Sequence, residues 1–528
     1  MEERAQLSRT LKPRWVWAIA LGSAVGWGSF VLPTEWMATA GPFGAVLGLL
    51  IGAALMIVIA VSYGFLIQKV PVSGGEFAYA YLGLGRTHAY VCGWFLALGY
   101  FSIVALNASA LGVLAKFTAP ALVEWGRMYE IAGWDVHLGE VLISTVALLV
   151  FAVLNVRGSA VSGRLQFVFV LTMILGALLL TIGVVAHPGT SLANATPGFT
   201  PEVPPWSAVL AIVAIAPWAY VGFDNVPQAA EEFNFAPSKA FRLIVFALVA
   251  ASLFYSMMIM ATAVAVPWQD LVASEPTWGT GEAVAGLFGS LGTLVLAVSL
   301  SMGIFTGLNG FYVAASRLMF SMGRARILPS FFGRVHPRFN TPAAGILFTS
   351  MICLITPWFG RQALLWVVDM SSTGVAIAYT YACVVAYRLF RWRSSESRAS
   401  TRFPIPPTVA PVKKFLSLLG ALFGITFVGL LLVPASPAAL GIPSWIALAA
   451  WTVLGVAFYL GRARTIRQIP AAELDHLILD TGTAENDVPD LPQPRDGQDS
   501  ENTERSPTTD AGTPTSRPQA ETGPGDGS

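Results

Sequence analysis

Apolar runs of about twenty residues follow one another along most of this chain, and a run of that length is what a helix needs to cross a lipid bilayer. Twelve are read, at 15–34, 42–68, 89–118, 138–156, 164–186, 207–232, 241–266, 285–320, 342–359, 364–390, 414–434 and 442–461. In lipid every backbone N–H and C=O must find a partner within the protein, so such runs become helices. The charge content agrees. Only 12% of the 528 residues are charged, against roughly 25% in a soluble domain. The expected fold class is an all-α polytopic membrane protein with about 12 transmembrane helices.

The basic residues give the expected orientation. With the N-terminus in the cytoplasm, only Lys116, Arg127 and Arg361 of the 31 Lys and Arg residues fall on the opposite side. This is a strong positive-inside asymmetry, and it implies an even number of spans with both termini in the cytoplasm of a plasma-membrane protein. The charged start, "MEERAQLSRTLKPR", runs straight into a full-length apolar segment, so no cleavable signal peptide is expected. From residue 463 the chain turns polar and acidic, and 463–528 is expected to be a disordered cytoplasmic tail. Cys92, Cys353 and Cys383 lie in apolar runs and are read as small buried hydrophobes. No metal-ligand spacing, cofactor motif or nucleic-acid surface is present in the sequence, and nothing in it fixes an oligomeric state.

Two apolar runs carry helix breakers. "GSAVGWGSFVLP", Gly22 to Pro33, lies in the first; "AIAPWAYVGFDNVPQAAEEF", Ala214 to Phe233, lies in the sixth. If residues 15–186 and 207–390 are two five-helix repeats, the breaks occupy the same place in each. An odd number of spans per repeat inverts the second relative to the first, and paired interruptions of this kind point to a transporter's binding site. Unwinding frees amides and carbonyls that a hydrated cavity must satisfy. Amides at half-helix N-termini attract a carboxylate and carbonyls at half-helix C-termini attract an ammonium.

These segments resemble the amino acid–polyamine–organocation superfamily of secondary transporters. "GSAVGWGSFVLP" is similar to its first-helix G-x-G-x-F-x-x-P, and "WAYVGFDNVPQAAEEF" to its sixth-helix signature. "VPVSGGEFAYAYLGLG" resembles the loop after the second helix, and "AASRLMFSMGRARILPSFF" with "HPRFNTP" the end of the eighth. The likeness covers about 15–460 and implies a leucine-transporter-like 5+5 inverted-repeat fold with discontinuous first and sixth helices, followed by two further helices at 414–461. It implies that the Ala24 carbonyl meets the substrate amine and that Gly26, Trp27 and Gly28 offer amides to its carboxylate. It also implies that Trp218 and Val221 beside Gly222 offer carbonyls, with Trp218 as a gate. Trp27 departs from the family's usual small hydroxyl residue. Where some proton-coupled members carry a fifth-helix lysine, alignment places Met173.

Charges inside a membrane span cost at least roughly 2.5 kcal/mol at the helix centre and so invite a functional reading. Asp224 is a proton site or substrate contact, or else caps the restarted half-helix. Glu231 and Glu232 are expected to form a gate or an ion pair with Lys239 or an arginine. Asp369 either carries protons or pairs with Arg361, and Ser371 beside it is a pocket candidate. Ser301, Thr306 and Asn309 put oxygens in the eighth span, where some family members bind sodium; such hydroxyls also bond their own backbone. The coupling ion is thus expected to be H+ or Na+.

The expected function is a permease for an amino acid, by symport or exchange, and not an enzyme, since no nucleophile–base or metal cluster accompanies the breaks. A polyamine or other organic amine remains the alternative substrate, through Asp224. A transporter-like sensor that binds without flux is the third reading.

Overall fold

The computed structural model describes residues 4–480 apart from 132, 277, 361, 392–410, 435, 437 and 438. Its apolar runs are helical, as a chain rich in Ala, Leu and Val must be where only internal hydrogen bonds are on offer. Among the described residues nine helices are long and apolar enough to cross a membrane. The first five are Pro33–Lys69, Arg86–Thr118, Leu138–Val156, Ser159–Ala186 and Pro237–Ala265. The others are Gly279–Arg324, Val367–Phe390, Pro411–Leu432 and Ile442–Ala463.

Three further apolar segments, in the places of the first, sixth and ninth runs, are broken or short. The first is Pro13–Val25 with Gly28–Val31. The sixth is Pro205–Ala214 with Ala216–Ala219 and Asn225–Gln228, and the ninth is Ala343–Cys353. Two long helices contain bends near limits read from the sequence. Gly41 (φ 71°), followed by Pro42, separates the end of the first span from the second, and Gly289 (φ 60°) bends the long eighth helix.

The arrangement sorts helices by burial. The third span, Arg86–Thr118, lies inside and packs on the eighth and tenth. The first packs against the fifth, seventh and eighth. The fifth turns a stripe outward, with Leu171, Leu175, Leu178, Leu179, Ile182 and Val185 exposed at helical spacing. Such a stripe belongs against lipid. The strands among the described residues form one antiparallel hairpin, Arg127–Ile131 with Trp134–His137, where Glu130 stands opposite Asp135.

The end of the chain corrects one expectation. Disorder from residue 463 does not hold: the last long helix runs to Gln468, and a helix at Ala471–Leu479 follows. Leu474, Leu477 and Ile478 give it one apolar face, and all three are buried. Residues 481–528 lie outside the described residues. The N-terminal segment is also held in place, through Leu11, which pairs with Phe233 and accepts from Asn234 N at 2.9 Å.

Candidate functional site

The first span stops at Val25 because Gly26 takes φ 38° and ψ −152°, a conformation that residues with a Cβ rarely adopt. A new turn begins at Gly28. The sixth breaks at Gly222 (φ 129°), between Ala219 and Asn225. The two breaks touch. A Cβ on Gly222 would lie 2.6 Å from both Ala24 N and Ser23 Cβ, so only a glycine lets the backbones meet this closely.

Between them lies a cavity of about 30 Å³ lined by Ser23, Ala24, Val25, Gly26, Trp27 and Gly28 from the first span and Trp218 and Val221 from the sixth. Ile103, Leu106 and Asn107 of the third and Tyr255 of the seventh complete it. That is room for about two waters, so a larger ligand must displace a wall. Trp218 is the wall nearest the first-span amides: a Cβ on Gly28 would lie 2.7 Å from its Cη2. Both Trp218 and Trp27 are only half-buried.

The walls carry polar atoms without protein partners. Trp218 Nε1, Ser23 Oγ and Asn107 Oδ1 are buried and make no hydrogen bond. Asn107 Nδ2 donates to Ile103 O at 2.9 Å. The Ala24 carbonyl accepts from Tyr255 Oη at 2.7 Å, and Ala219 O lies at the same distance from that hydroxyl. Buried polar groups of this kind cost free energy unless a ligand or water meets them.

The sequence of the chain has the same pattern. The profile of the amino acid permease family matches residues 14–458. The chain belongs to that family. It is 28% identical to a methylthioribose transporter of Bacillus subtilis (strain 168), over 76% of this chain and 86% of that protein. It is 25% identical to the branched-chain amino acid permease BcaP of Lactococcus lactis subsp. cremoris (strain MG1363), over 79% and 89%. It is also 25% identical to the histidine permease HisP of the same strain, over 79% and 88%. With its many apolar helices, the protein is a multi-pass membrane permease.

Of the residues singled out in the sequence, the permease brings Ala24, Gly26, Trp27, Gly28, Trp218 and Val221 together around the cavity. Gly222 supports it from behind. Ser371, Asp224, Asp369, Ser301 and Thr306 are not among the lining residues. Ser371 donates to Val368 O and Ser301 to Ala297 O, each in its own helix. Asp369 Oδ2 accepts from Ser444 at 2.6 Å; Arg361, its expected partner, is outside the described residues. Asp224 Oδ1 accepts from Gly222 N at 2.7 Å, so it ties the break itself and makes no cap bond to the restarted turn.

Thr306 reaches the first span, donating toward Gly22 O at 2.8 Å and Gly303 O at 2.7 Å. The fifth-span side chain beside it is Gln166, whose amide donates to Ala18 O at 3.3 Å and Thr306 O at 3.1 Å. Met173 is buried, but the groups a Cβ on Gly22 would meet first are Val170, Thr306 and Gln166. Asn309 joins the same network through Gln166 Oε1 at 2.8 Å and Asn155 Nδ2 at 3.0 Å.

Glu231 and Glu232 pair with arginines, not with Lys239. Arg324 and Arg4 hold Glu231 at 3.1 and 3.2 Å, and Arg317 holds Glu232 at 2.7 Å with Ser159 as a further donor. Among the lining residues that sequence reading did not single out, Asn107 and Tyr255 bring polar groups from the third and seventh spans. Each lies in an apolar run beside other small polar residues, with no spacing pattern to mark it. Its position inside a span was the one available signal.

Proposed function

We propose that this permease carries an amino acid across the plasma membrane by alternating access, in symport with protons, with both termini in the cytoplasm. The observation that supports this most is the meeting of two helix breaks at one cavity, with Ala24 and the Gly26–Gly28 segment in its lining and the Ala24 and Ala219 carbonyls sharing one hydroxyl of its wall. An ammonium suits the carbonyls, and a carboxylate suits the amides that open the short helix at Gly28. The lining residues include no carboxylate, so a polyamine would find only carbonyls to balance its charges.

Two of the relatives are named for amino acids, branched-chain in one and histidine in the other, and the third for methylthioribose, so they do not choose the substrate. The unpartnered Trp218 Nε1 and Asn107 Oδ1 provide one donor and one acceptor for the rest of the substrate. Thr306, whose hydroxyl donates toward Gly22 O, is the sodium candidate beside the first break, and the gradients in the test below choose between the two ions.

The test is uptake into liposomes holding the purified protein, with labelled amino acids and polyamines, with and without inward proton or sodium gradients. Saturable amino acid uptake driven by protons is expected. Binding without flux would sink the transport reading, and uptake of polyamines alone would sink the substrate assignment.

A further inference from the structure

Four carboxylates cluster where the restarted half of the sixth span meets its neighbours, and the fold treats them in two ways. Glu231 and Glu232 each face arginine. Glu76 and Asp224 are fully buried and make no ion pair among the described residues. Glu76 stands on the helix Gly75–Leu84, between the second and third spans. Its Oε1 accepts from Tyr63 Oη at 2.8 Å and its Oε2 from Gln228 Nε2 at 2.6 Å. Asp224 Oδ1 accepts from Tyr379 Oη at 3.3 Å as well as from Gly222 N. The rings of the two donors, Tyr63 and Tyr379, meet edge to face with 6.0 Å between centroids.

Several fully buried polar atoms in this cluster have no partner: Asp224 Oδ2, Gln228 Oε1 and both amide atoms of Asn225. A buried carboxylate without a cation is costly when charged and cheap when protonated. Gln228 suits both states. In one orientation its amide N–H donates to a charged Glu76. Turned over, it presents Oε1 to the same oxygen and accepts from a protonated one.

Opposing effects keep Glu76 able to titrate. Burial, and after it the charge of Asp224, raise its carboxyl above the usual range, while the Tyr63 and Gln228 donors pull it back. Its place in the first turn of a ten-residue helix also favours the charged form. The titratable groups whose electrostatics include Glu76 are Tyr63 on the second span, Tyr79 on its own helix, Cys92 and Tyr100 on the third span, and Tyr379 on the tenth. The eighth span, also packed on this helix, offers Arg317 and Arg324, both engaged by Glu232 and Glu231. The helix Ala471–Leu479 offers Asp475, which accepts from Tyr81 Oη.

We propose that Glu76 is a proton-carrying residue of the transport cycle, taking up a proton beside the buried carboxyl of Asp224 and releasing it when the Gln228 contact opens. This rests on the transport reading above. In the step, an O–H bond of hydronium breaks and one forms on a Glu76 oxygen. The proton later leaves Glu76 for water as the restarted half-helix that bears Gln228 moves away from the Gly75–Leu84 helix.

The experiment uses the full chain in liposomes with an entrapped pH dye, comparing wild type, Glu76→Gln and Tyr63→Phe. In wild type, substrate addition under an acid-outside gradient should drive both uptake and proton entry. Glu76→Gln, a mimic of the protonated form, should still exchange substrate for substrate but lose gradient-driven accumulation and the dye signal. Tyr63→Phe removes a donor to the charged carboxyl, so the pH midpoint of uptake should rise by about one unit. Proton-coupled accumulation by Glu76→Gln at the wild-type level overturns the proposal, and so does wild-type uptake without proton entry. If Glu76→Gln is inactive even in exchange, Tyr63→Phe decides: an unmoved midpoint overturns the proposal, and an upward shift supports it. Wild-type protein that neither takes up nor exchanges any amino acid would instead defeat the transport reading on which the proposal stands.

Discussion

The hydroxyl of Tyr255 lies 2.7 Å from the carbonyl oxygen of Ala24, joining the seventh span to the end of the first half-helix. The same hydroxyl lies 2.7 Å from Ala219 O, at the end of a sixth-span turn. One proton serves two carbonyls, so at any moment one of them is underused and open to an ammonium. Tyr255→Phe removes the shared donor and leaves both carbonyls buried, at a cost of about 1–3 kcal/mol. A lower Tm in detergent and weaker uptake are expected, with saturating substrate restoring part of the Tm because its ammonium takes the donor's place. An unchanged Tm and uptake would show that the hydroxyl does not hold the breaks.

Gly28 has no room for a side chain while Trp218 stays where it is, since even a Cβ would lie 2.7 Å from Cη2 and 3.3 Å from Cζ3. Gly28→Leu should abolish uptake without loss of membrane insertion. Gly28→Ala presses only on the far end of the indole and should raise KM with a smaller effect on maximal rate. Expression, surface insertion and uptake kinetics measured together check this. Normal transport by the leucine variant would remove the first-span break from the substrate site.

Both breaks were legible in the sequence because glycine and proline carry a local conformational signal that survives without any neighbours. The cavity's other half was not. Tyr255 and Asn107 matter because the fold brings them to Ala24 and Gly307, and neither partner is visible from a single polar letter in an apolar run. Glu76 sits in a motif read for its glycines, and its burial against Tyr63 and Gln228 depends on contacts from distant parts of the chain. The arginine partners of Glu231 and Glu232 were anticipated as a residue type but not by position. Arg4 comes from the N-terminal segment and Arg317 and Arg324 from the eighth span. The helix at Ala471–Leu479 was hidden by the polar composition that follows it.

Glu231 gives the fold an acid limit. Burial by itself would raise its carboxyl, but the Arg324 and Arg4 guanidiniums outweigh burial and hold it at about 2, below an ordinary 4.5. A depressed carboxyl stabilises the folded state fully above the unfolded value and loses that contribution as pH falls from about 4.5 toward 2. The difference corresponds to on the order of 3 kcal/mol. The Tm of the purified protein should therefore drop across that window, and Glu231→Gln should lower the Tm at neutral pH while flattening the acid drop. A variant with the wild-type acid profile would assign the acid limit to other groups.

Arg317 and Glu232 tie the eighth span to the end of the sixth, 2.7 Å apart with each side chain only 1% exposed. Removing one partner leaves the other charged and buried, a loss of about 3–5 kcal/mol, whereas removing both replaces a desolvated pair with neutral groups at a much smaller cost. Arg317→Met and Glu232→Gln should each destabilise the protein strongly, and the double variant should be more stable than either. Ser159 shifts the balance between the two single variants, because it hydrogen-bonds both Arg317 and Glu232. In Glu232→Gln the guanidinium keeps two acceptors, Ser159 Oγ and Ser316 Oγ, each at 2.9 Å, whereas in Arg317→Met the carboxylate keeps the Ser159 donor but loses the guanidinium. The order expected from thermal unfolding is thus wild type, double variant, Glu232→Gln, Arg317→Met. Single-variant losses that simply add in the double variant would mean that the pair contributes no coupling energy and that each residue acts through its other contacts.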